Sequence, residues 1–167
     1  MHKLALIAAA SVLFLGAASA ETRNLSGFEG VRAEGRFDVS VTVGGQYSVT
    51  ITGPDADRLR TEIDDGELMV ETRNRPWFGD EPRVNADVVI TTPRLNSLVS
   101  ARGADLEATN VSADSFSMVA AMGGEVRAAG TCQNLDASAS MGGSVRVDGA
   151  PAHTNISTSM GGGVSLR

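Results

Sequence analysis

The chain has 167 residues, with 14 Lys plus Arg against 20 Asp plus Glu, and a formal charge of −6. That balance argues against a nucleic-acid partner, because a polyanion needs a basic footprint. A lone cysteine, Cys132, excludes an intramolecular disulfide, so packing must hold the fold.

The first residues carry a short cationic start, His2-Lys3, then an apolar run over 4–15, then Ala18-Ser19-Ala20. This order fits a signal peptide over 1–20 with cleavage after Ala20, and the apolar run is short for a membrane span. Export is therefore expected, to the periplasm, the cell surface or the extracellular medium. Lys3 is the chain's only lysine, so the processed chain keeps 13 Arg against 20 acidic residues, 13 − 20 = −7. Residues 21–167 are expected to form a single β domain, with a β-rich N-terminal half over 21–92 and glycine-cornered coils over 93–167.

Phe37, Val39, Val41 and Val43 alternate with polar residues, and Tyr47, Val49 and Ile51 do so again after Gly44-Gly45-Gln46. The pattern predicts two strands joined as a hairpin. Asp55, followed by Leu59 and Ile63, has the cap and spacing of one or two helical turns. Asp65-Gly66 then predicts a turn into a strand that points Leu68 and Val70 to one side. Ala86, Val88 and Ile90 supply a further strand before Thr92-Pro93.

The second half is ruled by a repeat. Gly103, Gly123, Gly142 and Gly161 align with spacings of 20, 19 and 19, and the last three follow Met122, Met141 and Met160. Leu98, Met118, Ala137 and Ile156 stand five residues before each glycine, and Ser100, Ala120, Ala139 and Thr158 stand three before. After the corner, Leu106, Val126, Val145 and Val164 resume the phase, followed by Ala108, Ala128, Val147 and Leu166. Each unit is thus strand, glycine corner, strand, with its inward residues stacked on their equivalents. A period of this length predicts a right-handed parallel β-helix, a solenoid-like repeat with coils of ~19 residues, preceded by the β-rich N-terminal half. The three methionines are expected on the inner face as a ladder, and the extra residue of the longer unit is expected around Ser112 to Asp114.

The series Gly35-Arg36-Phe37-Asp38-Val39-Ser40-Val41, Tyr47-Ser48-Val49-Thr50-Ile51, Asp65-Gly66-Glu67-Leu68 and Val89-Ile90-Thr91-Thr92-Pro93-Arg94-Leu95, followed by glycine-bearing repeats, resembles the head GIN domain family. That family is described as the head domain of putative autotransporter adhesins. The resemblance covers nearly all of the processed chain and rests on turns, alternation and glycine corners. It implies a β-solenoid-like fold in an exported bacterial protein whose biochemical role is not established.

Candidate binding residues are few. Trp77, the only tryptophan, stands beside Phe78 in the loop over 73–83, flanked by Pro76 and Pro82 with both signs of charge nearby. Such a pair can stack on a sugar ring or anchor a protein partner, and can equally fold back as an apolar plug. Glu107, Arg127 and Arg146 form an outward row suited to an acidic glycan, though a surface ion pair between Glu107 and Arg127 is the plainer use. Asp105 and Glu125 stack once before Ser144 and Gly163 replace them, so no carboxylate cluster is expected from the repeat. His153 is the sole histidine outside the leader, no motif marks an activated serine, and no metal site or cofactor is expected.

The expected function is therefore a non-catalytic interaction or adhesion module whose partner is a glycan or a cell-envelope protein. The alternative is a carbohydrate-active enzyme, a polysaccharide lyase or hydrolase on the same scaffold. The last strand, around Val164, is expected to leave an edge through which the chain self-associates.

Overall fold

Alternation of apolar and polar residues runs through almost every segment, and it is realised as strand nearly throughout. The computed structural model describes residues 20–74 and 81–167. The leader, except Ala20, lies outside them. In chain order the strands are β1 (Glu21–Arg23), β2 (Gly30–Glu34), β3 (Asp38–Val43), β4 (Ser48–Thr52), β5 (Leu59–Asp64), β6 (Glu67–Thr72), β7 (Asp87–Thr92), β8 (Ser97–Ala101), β9 (Asp105–Ala121), β10 (Glu125–Ala139), β11 (Ser144–Asp148), β12 (His153–Thr158) and β13 (Gly163–Leu166).

The expected right-handed parallel β-helix is not what these strands build. They form one mixed sheet of 13 strands, with the path β1-β4-β7-β3-β9-β8-β2-β6-β5, and this sheet curls into a half-barrel. Antiparallel pairs β1–β4, β4–β7 and β5–β6 are built into it beside the parallel ones. The N-terminal half does not precede the repeat. It is woven into the same sheet, because β3 pairs with β9 and β2 pairs with β8.

The curl has a local cause. β9 and β10 are long, and each bends instead of breaking: the start of β9 pairs with β3 while its end pairs with β8. At the bend Asn110 takes φ 59 and Gly130 takes φ 152, and the β9–β10 register shifts between Ala128 and Gly130. Ala128 pairs with Ala108 but Gly130 pairs with Val111, so the extra residue of the longer unit is a bulge at Thr109 and Asn110. It does not lie at Ser112 to Asp114, where pairing runs on undisturbed. Asparagine tolerates the left-handed conformation that such a bulge imposes.

The repeat survives as local parallel register. Leu98, Met118, Ala137 and Ile156 are in line across β8, β9, β10 and β12, and Leu106, Val126, Val145 and Val164 are in line across β9, β10, β11 and β13. Their inner members join Phe28, Phe37, Leu59, Leu68 and Ile90 in one continuous core on the concave side of the sheet. Ser100, the one buried polar member of its rung, is fully shielded and donates to the Ala104 carbonyl at 2.6 Å.

The methionine ladder does not form. Met122, Met141 and Met160 are 44%, 49% and 79% exposed, and their φ values are 49, 48 and 46. Each is the first central residue of a tight turn whose second central residue is a glycine with positive φ, closed by a bond such as Gly143 N–H to Ser140 O at 2.9 Å. Positive φ at both central positions is the geometry of a type I′ turn, and it swings the methionine out of the strand's alternation.

The two glycines of each corner have different tasks. Gly142 carries the positive φ, with open space around it. Gly143 does not; a β-carbon there would stand 2.3 Å from the Ala120 carbonyl oxygen of the neighbouring unit. Gly124 and Gly162 meet Ser100 and Ala139 in the same way.

Two further expectations give way. β3 and β4 are not a hairpin, because β7 lies between them, parallel to β3 and antiparallel to β4. The helix over 55–63 shrinks to a 3-10 turn at Ala56–Arg58, and Leu59–Asp64 is strand. Leu59 and Ile63 fit period two as well as period four, and pairing with β6 through the Asp65-Gly66 turn decides for strand.

Candidate functional site

The convex face of β7, β3, β9, β10 and β11 carries two rows of outward side chains, most of them charged, and backbone register alone brings them together. Asp87, Asp38, Asp105 and Glu125 are consecutive partners across β7, β3, β9 and β10. In the next outward row stand Val89, Ser40, Glu107, Arg127 and Arg146. Adjacent strands lie ~4.8 Å apart, so each row is a series of evenly spaced groups on a stiff support.

The row of four carboxylates was half legible. Asp105 and Glu125 stack as the repeat requires, and Ser144 then replaces them. In the other direction the row continues through Asp38 and Asp87, which the glycine spacing does not show. The signal is a recurring acid–apolar–any–apolar pattern: Asp87-Val88-Val89-Ile90, Asp38-Val39-Ser40-Val41, Asp105-Leu106-Glu107-Ala108 and Glu125-Val126-Arg127-Ala128.

Charge compensation is arranged around this row. Arg83 Nη2 lies 2.5 Å from Asp38 Oδ2, Arg127 Nη2 lies 2.8 Å from Glu125 Oε1, and Arg146 Nη1 lies 3.1 Å from the same oxygen. Arg127 sits in register with Glu107, yet its ion pair is with Glu125 on its own strand. Glu125 Oε1 is shielded from solvent and accepts no well-aligned hydrogen bond, so the two guanidinium groups neutralise it by proximity of charge.

Asp105 lies between Asp38 and Glu125, and its carboxyl titrates above its ordinary value. Burial is the main cause, Asp38 and Glu125 add to it, and Arg127 and Arg83 oppose it. The folded value exceeds the unfolded one, so the stabilisation carried by the proton is full below the ordinary 3.8 and is lost as pH rises through the folded value. Asp105→Asn is accordingly expected to leave the urea midpoint at neutral pH unchanged or raised, and to remove part of its acid-side dependence. A fall at neutral pH would contradict this balance of charges.

Trp77 and Phe78 lie outside the described residues. Beside the start of their loop, Arg60, Thr61, Glu71, Thr72, Arg73 and Asn74 line an open cleft of 750 Å³. A second cleft, of 490 Å³, is lined in part by Glu29, Asp64, Asp65 and Glu67. Two of its carboxylates are engaged: Glu67 Oε2 accepts from Arg32 Nε at 2.9 Å and Glu29 pairs with Arg94 at 2.8 Å. Asp55 accepts from the Asn85 N–H at 2.9 Å and pairs with Arg58. Among the described residues no three His, Cys, Asp or Glu side chains converge as metal ligands.

Cys132 is half-buried on β10, in register with Ala113, and burial pushes its thiol above the usual range. That disfavours the thiolate and slows any bridge to a second chain. His153 opens β12 opposite Asn134 and is exposed.

The family described as "Putative auto-transporter adhesin, head GIN domain" matches residues 27–167. Among solved structures, a putative adhesin from Bacteroides fragilis NCTC 9343 is similar with a TM-score of 0.54 at 15% identity, over 90% of this chain and 97% of that one. A putative lipid binding protein from Parabacteroides distasonis ATCC 8503 is similar with a TM-score of 0.51 at 13% identity, over 92% of this chain and 98% of that one. At these identities the likeness is one of fold. No curated protein matches the chain.

Proposed function

The chain belongs to the head GIN domain family, and from that premise we propose that it is a non-catalytic interaction or adhesion module, exported to the periplasm or the cell surface, whose ligand is a glycan or a cell-envelope protein. The observation that carries this reading is the convex face: two outward rows, one of four carboxylates and one holding Glu107, Arg127 and Arg146, held in register across neighbouring strands. A ligand lying across the strands meets charged groups at ~4.8 Å intervals without ordering any loop, so little conformational entropy is lost on binding. Arg127 and Arg146, each half-exposed, would meet the acidic groups of such a ligand.

The alternative, a polysaccharide lyase or hydrolase, draws on the same carboxylates, since glycoside hydrolysis uses a pair of them. Incubation with a panel of acidic and neutral glycans separates the two. Retention without new reducing or unsaturated ends, weakened at least tenfold by Arg127→Ala with Arg146→Ala, is the expected result. Turnover that Asp105→Asn abolishes would establish the enzyme instead.

A further inference from the structure

The two ends of the curled sheet are finished differently. At one end lie β1 and β5, the last strands of the sheet path. β5 alternates Arg60, Glu62 and Asp64, and β1 carries Glu21 and Arg23. Arg23 reaches across from β1 to β5, donating to the Leu59 carbonyl at 3.1 Å and to Thr61 Oγ1 at 2.9 Å. Phe28 and Leu59 are completely buried. Charged residues and a side-chain tie of this kind blunt a strand edge.

The other end has no side-chain tie of this kind among the described residues, and its one arginine, Arg167, follows β13 and bonds to β11 through its backbone. β12 pairs only with β10, and β13 only with β11. Their sequences, His-Thr-Asn-Ile-Ser-Thr and Gly-Val-Ser-Leu, hold no Asp, Glu, Lys, Arg or Pro. Ile156 and Leu166, which continue the buried rungs of the preceding units, are 46% and 41% exposed.

We infer that this end is a homodimer interface, in which β12 and β13 pair antiparallel with β12 and β13 of a second copy about one twofold axis. The symmetry of the sequence selects that occupant. Inward residues of β12 read Thr154, Ile156, Thr158, which is the same in both directions, so a dyad at Ile156 sets Ile156 against its copy and Thr154 against Thr158. A dyad at Ser165 sets Val164 against Leu166 and Ser165 against its copy. The two dyads coincide along the chain path: Ile156 lies 160 − 156 = 4 residues before Met160, and Ser165 lies 165 − 161 = 4 residues after Gly161, with the turn centred between.

One axis therefore serves both strands, apolar residues meet apolar ones, and no acidic or basic side chain of either strand opposes a like charge. Unpaired edge N–H and C=O groups gain partners on both limbs of the sheet at once. Because the opposite end is blunted, the contact is isologous and closes at two copies, without growing into a filament.

The test is the mass of the purified processed protein by light scattering from micromolar to millimolar concentration. A dimer is expected, and Ile156→Glu, which puts two carboxylates on the dyad, is expected to shift it to monomer with its far-UV spectrum unchanged. In a Cys132→Ser background, Ser165→Cys is expected to give a disulfide-linked dimer on mild oxidation, since directly opposed residues bring their β-carbons within ~5.5 Å. Ser144→Cys, on the paired strand β11, is expected to give none. A monomer at every concentration, a dimer indifferent to Ile156→Glu and uncrosslinked through Ser165→Cys, an open-ended oligomer, or a different chain seated stoichiometrically on this edge would each overturn the inference.

Discussion

Gly143→Ala is expected to destabilise the protein by more than about 4 kcal/mol, a loss that few single substitutions reach. Ordinary domains have only about 5–15 kcal/mol in total, so the repeat half should melt or the chain fail to accumulate folded. The cause is not backbone freedom, since Gly143 has no positive φ. A β-carbon would stand 2.3 Å from the Ala120 oxygen, 2.5 Å from its carbonyl carbon and 2.9 Å from the Ala121 nitrogen. All three are backbone atoms of the neighbouring strand, held by the ladder that defines the register, so relief requires prising the two units apart. Gly142→Ala is the matched control: nothing lies within 4 Å of its β-carbon, and the cost is the left-handed φ of 76, about 1–2 kcal/mol. Urea unfolding of the two variants side by side measures the difference.

Val145→Asp is the second large loss. Val145 is fully buried on β11, between Val126 of β10 and Val164 of β13, in a rung made only of apolar side chains. A carboxylate there has no partner and loses its hydration, which costs several kcal/mol whether it stays charged or takes up a proton. The variant should be unfolded or aggregated at neutral pH and partly recovered in acid. A soluble, cooperative protein with the parent midpoint would mean that the β11 face has been assigned to the wrong side.

Local sequence pattern is informative here wherever the determining contact is one repeat away. The registers of β9, β10, β11, β12 and β13 follow from the glycine spacing, because the same interaction recurs and each copy confirms the phase. Longer connections leave no such trace. Gly44-Gly45 looks like a hairpin turn, yet β7, which begins only at Asp87, enters between the two strands. Nothing near Gly44 announces it. Leu59 and Ile63 satisfy helix and strand periods alike, and the partner strand that resolves them lies beyond the next turn.

The antiparallel members of the sheet belong to this class. Short alternating segments specify strands without specifying the direction of their neighbours, so a period suited to a parallel β-helix does not reveal that the sheet is mixed. The methionine ladder failed for a different reason. Strand alternation ends one residue before each methionine, which opens a turn whose left-handed φ points its side chain outward. On the convex face, the Asp105–Glu125 step was legible from the repeat, whereas Asp38 and Asp87 became visible through the recurrence of acid before an apolar pair. Trp77 and Phe78 lie outside the described residues.

Corner glycines that pack against the previous unit, with methionines that face solvent, are the central structural claim, and they direct any search for ligands to the convex rows and the β12–β13 edge. Met141→Asp tests that claim most directly, read as a urea midpoint on the purified protein. Met141 is half-exposed with φ 48, a conformation that short polar side chains tolerate better than methionine. The predicted result is a folded, cooperative protein within about 1 kcal/mol of the parent. Unfolding of the repeat half, on the scale expected for Val145→Asp, would put the methionines inside and contradict the account.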